Sequence, residues 1–255
     1  MTFFLSKHLH RHPFPVVARS ERVVAVSFAF PVETLRPLVA RGLESDAFEG
    51  LGFVTVAMVW TRNLRPAGFP AFLGQDFFLA GYRIFTRLDD GGRRLRGLQI
   101  LRSETDQRRM VWMGNLMTHY HYRHVDVRIE KSDGRTRVKT SLADGTRSLD
   151  LTFAEGDESS LLPEGSPFRD WREARRFAGP MPFTFSAEED GAFVVIEGSR
   201  QDWVPRPVAV KDWQVGLFAE TPLRGTEPIL ANAFSVSDVA YRWKRGRVVR
   251  LKGPA

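Results

Sequence analysis

The sequence predicts a mainly β fold (α+β in class), a single domain with two or three short helices laid against one sheet. Three observations predict it. Short runs rich in β-branched and aromatic residues recur along the 255-residue chain, as buried or half-buried strands require. Turn signals separate these runs, the strongest being Asp89-Asp90-Gly91-Gly92, whose composition suits a tight hairpin. Nothing repeats at a fixed period and no low-complexity linker divides the chain, which argues against a solenoid and for one domain, residues 1–255.

The elements follow in order. Residues 1–15 form an unanchored terminus, where order is usually poor. Glu21 to Phe30 reads as a strand. Pro31 to Gly42 reads as a short helix, with Leu35, Leu38 and Val39 on one face and Gly42 as its stop. Leu51 to Trp60 is a strand, and Leu64 to Leu73 a loop broken by Pro66, Gly68 and Pro70. Gln75–Leu88 and Arg94–Glu104 are the arms of the hairpin. Asp106 to Asn115 is a helix or a crossover loop. Thr118–Lys131, Arg135–Leu142 and Arg147–Phe153 form a meander, turning at Ser132-Asp133-Gly134 and Ala143-Asp144-Gly145. Residues 155–167 are a long loop. Pro167 to Ala178 is a helix capped by Ser166 and stopped by Gly179. Phe183–Phe185, Ala192–Glu197, Val208–Phe218 and Asn232–Val249 supply the last strands, with residues 241–255 as a basic tail.

Composition excludes several function classes. The chain has no cysteine, so thiolate metal sites, cysteine nucleophiles and disulfides are absent. No apolar run approaches the ~18 residues that span a bilayer, and Phe3-Phe4-Leu5 is too short for a signal-peptide core. A cytoplasmic protein is expected. The net charge is +7, from 31 arginines and only 6 lysines against 30 acids. Few lysines leave few candidates for imine chemistry, and the positive balance reads as an Arg-rich solvated surface or as a preference for anionic partners.

All six histidines lie in two clusters. The second, Thr118-His119-Tyr120-His121-Tyr122-Arg123-His124, runs into the alternating Val125-Asp126-Val127-Arg128-Ile129. Read as one strand, it points His119, His121 and Arg123 inward with Val125, Val127 and Ile129, and Tyr120 and Tyr122 outward. Two inward histidines two residues apart suit a metal, a proton relay or hydrogen-bonded core positions. No third ligand is nominated, so no metal is assigned and no cofactor is expected. The N-terminal His8, His10 and His12 alternate in the same way.

Other charged residues are ambiguous. Arg102 and Glu104 continue the face of Leu98 and Ile100, either as an ion pair at a pocket mouth or as a strand emerging into water. Arg83, between Tyr82 and Ile84, faces a cavity or the solvated side. Tyr241 to Lys252 interleaves cations with two aromatics, which suits phosphate or base contacts as well as a solvated terminal strand. No nucleic-acid motif, phosphate-binding glycine loop or nucleophile elbow is present.

Four segments carry a resemblance. They are Leu64-Arg65-Pro66-Ala67-Gly68-Phe69-Pro70, Gly81-Tyr82-Arg83-Ile84-Phe85, Arg96 to Asp106 (Arg-Gly-Leu-Gln-Ile-Leu-Arg-Ser-Glu-Thr-Asp) and Gly114 to Tyr122 (Gly-Asn-Leu-Met-Thr-His-Tyr-His-Tyr). Together they resemble a bacterial domain family of unknown function within the acetoacetate decarboxylase-like superfamily. The resemblance implies a strongly curved, barrel-like antiparallel sheet enclosing a conical pocket. True decarboxylases of that superfamily carry a Gly-Arg-Glu…Pro-Lys-Lys segment ending in Ala-Asp, which lies on Gly114 to Asp126 without a gap. The imine-forming lysine then falls on Tyr122 and its neighbour on Arg123, so the covalent route is missing at that position. The acid that related proteins place four residues before the mid-strand arginine is here Leu79. The superfamily turns position 122 inward, against the alternation above. Either the strand starts after Tyr122 or a bulge re-aims it, with Tyr120 and Tyr122 then lining the pocket and His119 and His121 flanking it.

The sequence thus predicts a small-molecule-binding barrel, with an anionic ligand held by Arg83, Arg102, Glu104, Tyr120 and Arg123. His119, His121 and Tyr122 are the candidates for proton transfer in non-covalent chemistry on an oxo-acid, such as enolisation, hydration or cyclisation. A non-catalytic sensor or carrier on the same barrel is the alternative, and a basic nucleic-acid or membrane-surface module using residues 241–252 a third. Neither nucleic acid nor membrane is the favoured partner, and a homo-oligomer is left open.

Overall fold

A computed structural model describes residues 9–156, 162–220 and 222–251. Its strands are β1 (Val16–Pro31), β2 (Glu44–Ser45), β3 (Leu51–Pro66), β4 (Gln75–Asp90), β5 (Arg93–Thr105), β6 (Tyr122–His124), β7 (Asp126–Ser132), β8 (Arg135–Ser141), β9 (Arg147–Glu155), β10 (Phe183–Ala187), β11 (Ala192–Arg200), β12 (Arg206–Val215), β13 (Ile229–Trp243) and β14 (Arg247–Arg250). Three α-helices lie wholly within the described residues, α1 (Val32–Leu35), α2 (Arg108–Met117) and α3 (Trp171–Ala178).

The strands β10-β5-β4-β3-β1-β13-β11 form a closed ring, because β11 bonds both β10 and β13. Closure removes the exposed edges that a sheet this size would otherwise present. Beyond the ring, β13 also pairs β12, which continues through β9 and β8 to β7 as a second sheet. The pairings are antiparallel except β10 with β5 and β6 with β5, which are parallel.

Alternation along the wall explains the sequence. On β1, β3 and β4 the residues Val24, Val26, Val54, Val56, Ala80 and Ile84 face outward and pack on Val138, Leu149, Leu151 and Phe153 of the second sheet. Their neighbours Val23, Ala25, Ala57, Val59 and Leu79 face inward and line a cavity. Both faces are therefore covered, and the strands read as near-continuous apolar runs rather than strict alternation. Inward Ala29, Phe53, Phe85 and Leu98 pack on Ala174 and Ala178 of α3, which closes one end of the ring.

The hairpin turns at Gly91 and Gly92, with φ of 64° and 92°, between the paired Asp90 and Arg93. Several expectations are corrected. The helix from Pro31 is one α turn followed by a 3-10 turn, Arg36–Leu38, where Pro37 supplies no N–H. The helix near Pro167 begins at Trp171, because Asp170, not Ser166, accepts from the Glu173 backbone N–H at 2.7 Å. Ser166 instead donates to the Ala231 carbonyl.

The N-terminal residues 9–15 are anchored rather than loose. Arg11 makes two hydrogen bonds to Glu188 at 2.7 and 2.6 Å, and the His12 backbone bonds Met117 and Gly246. The basic C-terminal segment is also structural. Lys244 pairs with Glu197, Arg247 with Asp90 and Arg250 with Asp190, so half of the cations that suggested a phosphate-binding tail hold β13 and β14 in the sheet. Residues 1–8 of the N-terminal segment, His8 among them, residues 157–161 of the long loop and residues 252–255 of the tail lie outside the described residues.

Candidate functional site

The ring encloses a cavity of about 410 Å³, within the range of small-molecule pockets. Its wall is mostly apolar. The polar side chains that reach it include Arg83, Ser103, Tyr120, Tyr122, Arg200 and Tyr241. Among the described residues lining it there is no aspartate, no glutamate and no lysine.

Arg83 is the central cation. It faces inward from β4 between Gly81 and Phe85, and a Cβ on Gly81 would stand only 3.0 Å from its Nε. The glycine therefore leaves room for the guanidinium to lie along the strand. Arg83 Nε is buried with no hydrogen-bond partner. Burial lowers its pKa from the ordinary arginine value, and the hydroxyls of Tyr241, Tyr120 and Tyr122 act in the opposite sense. Arginine holds its proton even so. A buried charge with an unused donor is costly unless something anionic completes it.

Tyr122 is aimed inward by three local features. His121 has φ of 51°, a left-handed residue that ends any continuous strand from Thr118. Asn115 then clamps the Tyr122 backbone, its Oδ1 accepting from the N–H and its Nδ2 donating to the carbonyl, both at 2.8 Å. Finally, the Tyr122 ring lies against Gly114 of α2. Burial pushes the Tyr122 hydroxyl up to about 12, with nearby Arg83 opposing, so at neutral pH it is a phenol and a proton donor. Tyr120 bonds Thr184 through its hydroxyl at 2.7 Å and is likewise raised by burial.

The structure separates the other expected site residues from this cavity. In the parallel β5–β6 ladder, Ser103 pairs with Tyr122 and Glu104 with Arg123. The first pair points in and the second points out. A bulge between Tyr82 and Arg83 leaves Leu101 unpaired, which inverts the alternation counted from Leu98 and Ile100. Arg102 and Glu104 are thereby turned outward.

Glu104 is fully buried between the ring and the second sheet. It accepts from Tyr82 at 3.0 Å, Thr140 at 3.2 Å and Arg123 Nε at 2.9 Å, as well as from Ser148. This network fastens β4, β5, β6, β8 and β9 together. Arg102 pairs with Glu220 at 2.5 Å and lies over the Tyr82 ring. The expectation that Arg102, Glu104 and Arg123 line the pocket is corrected accordingly.

The histidines also fall elsewhere. His119 stands 3.9 Å from Glu188 with its ring edge-on to His10, and burial lowers its pKa. His121 is exposed on the turn. Neither lines the cavity, and the described residues hold no group of three ligands placed for a metal. His12 does line it. Its Nδ1 has no partner, and burial lowers its pKa.

Sequence reasoning missed His12, Arg200, Trp203, Tyr241 and Trp243 as lining residues. One signal was present: Tyr241 and Trp243 alternate with Arg242 and Lys244, which places both aromatics on one face of a strand.

A closed, branched β-ring with an apolar, cation-lined chamber defines the class, an acetoacetate decarboxylase-like fold. Residues 18–237 match DUF2071, a family described as an uncharacterized conserved protein, and the chain belongs to that family. No curated protein sequence matches the chain. Among solved structures, an acetoacetate decarboxylase from Legionella pneumophila is similar at TM-score 0.59 and 10% identity, over 92% of this chain and 87% of that one. The enduracididine biosynthesis enzyme MppR, complexed with the condensation product of pyruvate and imidazole 4-carboxaldehyde, is similar at TM-score 0.59 and 13% identity, over 92% and 88%. An acetoacetate decarboxylase-like enzyme from Sphingomonas wittichii RW1 is similar at TM-score 0.56 and 13% identity, over 94% and 93%. These likenesses show the shared fold.

Proposed function

We propose that the cavity binds an anionic small molecule with an apolar body, its anionic group on Arg83, and acts on it without forming an imine. The unpartnered, buried Nε of Arg83 carries this reading. A carboxylate there would complete the donor and neutralise the charge in one contact. Tyr122, a phenol beside the same guanidinium, would donate to a developing enolate or alkoxide. Enolisation of an oxo-acid would use such a pair with neutral His12, which lines the same cavity with its Nδ1 unpartnered, taking the carbon-bound proton while Tyr122 gives its own to the oxygen; hydration or cyclisation would draw on the same groups. The absence of lysine among the described lining residues and the resemblance that places the imine lysine on Tyr122 both support the non-covalent route. The cation-lined cavity of a protein whose structural relatives include one complexed with pyruvate also supports an anionic ligand.

Calorimetric titration with aliphatic monocarboxylates and 2-oxo acids tests the reading. Arg83→Gln should weaken the best of them by about tenfold or more, the worth of one charge-assisted contact. Equal affinity in wild type and variant would sink it. A carrier or sensor on the same cavity is the second reading, favoured because His119 and His121, the expected proton-transfer groups, lie off the cavity. Exchange of oxo-acid α-protons in D₂O, followed by NMR, separates the two: enzyme-dependent exchange supports catalysis, and binding without exchange supports the carrier.

A further inference from the structure

The cavity holds a second cation with no acid beside it. Arg200, at the end of β11, lines the same chamber as Arg83. Its NH2 donates to the Met181 carbonyl at 2.6 Å, and its guanidinium lies 5.0 Å from the Trp203 ring and 5.4 Å from the Tyr241 ring. The aromatic rings and one carbonyl hold the group in place. They supply no counter-charge, and no carboxylate pairs with it among the described residues. Trp203, which also lines the cavity, has an indole Nε1 buried without an acceptor. Arg83, Arg200 and an idle indole donor thus share one chamber without a carboxylate among its described lining residues. Arg83 and Arg200 repel each other. Two like charges enclosed together are unfavourable until anions separate them.

We propose that Arg200 and Trp203 form a second anion subsite, so that the ligand of this cavity is a dianion: a dicarboxylate whose apolar linker lies against the chamber wall. One carboxylate rests on Arg83, the other on Arg200 with the Trp203 N–H. A single carboxylate leaves one guanidinium uncompensated, whereas a dianion neutralises both. The four lining arginines, with Arg65 and Arg109 added to Arg83 and Arg200, also raise the local concentration of doubly charged anions more than of singly charged ones. The inference rests on the binding role proposed for Arg83.

The test is a titration of the full chain with straight-chain dicarboxylates of increasing length, each beside the monocarboxylate with the same number of carbons. The expected result is one linker length at which the diacid binds about tenfold or more tighter than its monoacid. Arg200→Gln should abolish that advantage and leave monoacid affinity within about threefold. Arg200→Lys, which keeps the charge and serves as a folding control by its melting temperature, should retain part of it. A diacid no tighter than its monoacid at every length overturns the second subsite while leaving Arg83 binding intact. So does an Arg200→Gln variant that weakens both acids equally, since one anion then spans both arginines. Failure of the Arg83 reading is distinct: monoacids would bind Arg83→Gln as well as wild type.

Discussion

Gly114 of α2 lies so close to the Tyr122 ring that a Cβ added to it would stand 2.4 Å from Cδ2 and 2.9 Å from Cγ. The conflict reaches the root of the ring, so a rotation of its far end cannot relieve it. Gly114→Ala must displace α2 or withdraw Tyr122 from the cavity. Helix propensity alone would favour alanine by about 1 kcal/mol, but overpacking costs about 1–3 kcal/mol. The expected outcome is a lower urea midpoint together with weaker ligand binding. An unchanged midpoint and affinity would show that Tyr122 has freedom the packing denies it.

Removing the anchor outside the wall should act on stability first. Glu104→Ala leaves Arg123 half-buried without its carboxylate and frees three hydroxyls from their acceptor. Loss of one member of a buried pair costs about 3–5 kcal/mol. Equilibrium unfolding in denaturant measures it. A loss below about 1 kcal/mol, the size of a surface pair, would contradict the structural role.

Acid should weaken the fold through its buried histidines. Burial holds His12 below its ordinary 6.5, and His119 likewise. In the window under 6.5 the unfolded chain therefore binds more protons than the folded one, and stability rises with pH. It is fully present above 6.5 and declines as pH falls toward the folded values. His12→Gln should flatten this decline, compared as urea midpoints at about pH 7.5 and about pH 5.5. Parallel slopes in the two proteins would exclude His12 as a source.

Trapping chemistry separates the covalent and non-covalent routes. Incubation with a β-keto acid and borohydride should leave the intact mass of the protein unchanged, because no lysine is found among the described lining residues. A reduced adduct mapped to any lysine would overturn the non-covalent reading.

Much of this architecture is legible in the sequence, because each wall strand is patterned by its own burial. The hairpin of β4 and β5 follows from the Asp-Asp-Gly-Gly turn, and the resemblance carried the ring. Side-chain direction at the site was harder. At β6 the face shared by Arg123 and Val127 is the one against the second sheet rather than the cavity, and in β5 the unpaired Leu101 reverses the alternation beyond it. Neither outcome has a local signature: which face of β6 meets the cavity depends on the strand it pairs with, and Tyr82 bonds Glu104 across the bulge from 22 residues away. His12 was hidden for a similar reason. Its order depends on Arg11 reaching Glu188, a residue far along the chain.

The β6 strand is only three residues long, yet Tyr122 faces the chamber while Arg123 is fastened to Glu104 on the far side of the wall. Adjacent positions thus have unrelated obligations. What holds the segment in place is indifferent to what it presents inward, provided the inward group fits beside Gly114. A fold built this way can change the group it presents at one inward position without rebuilding its wall.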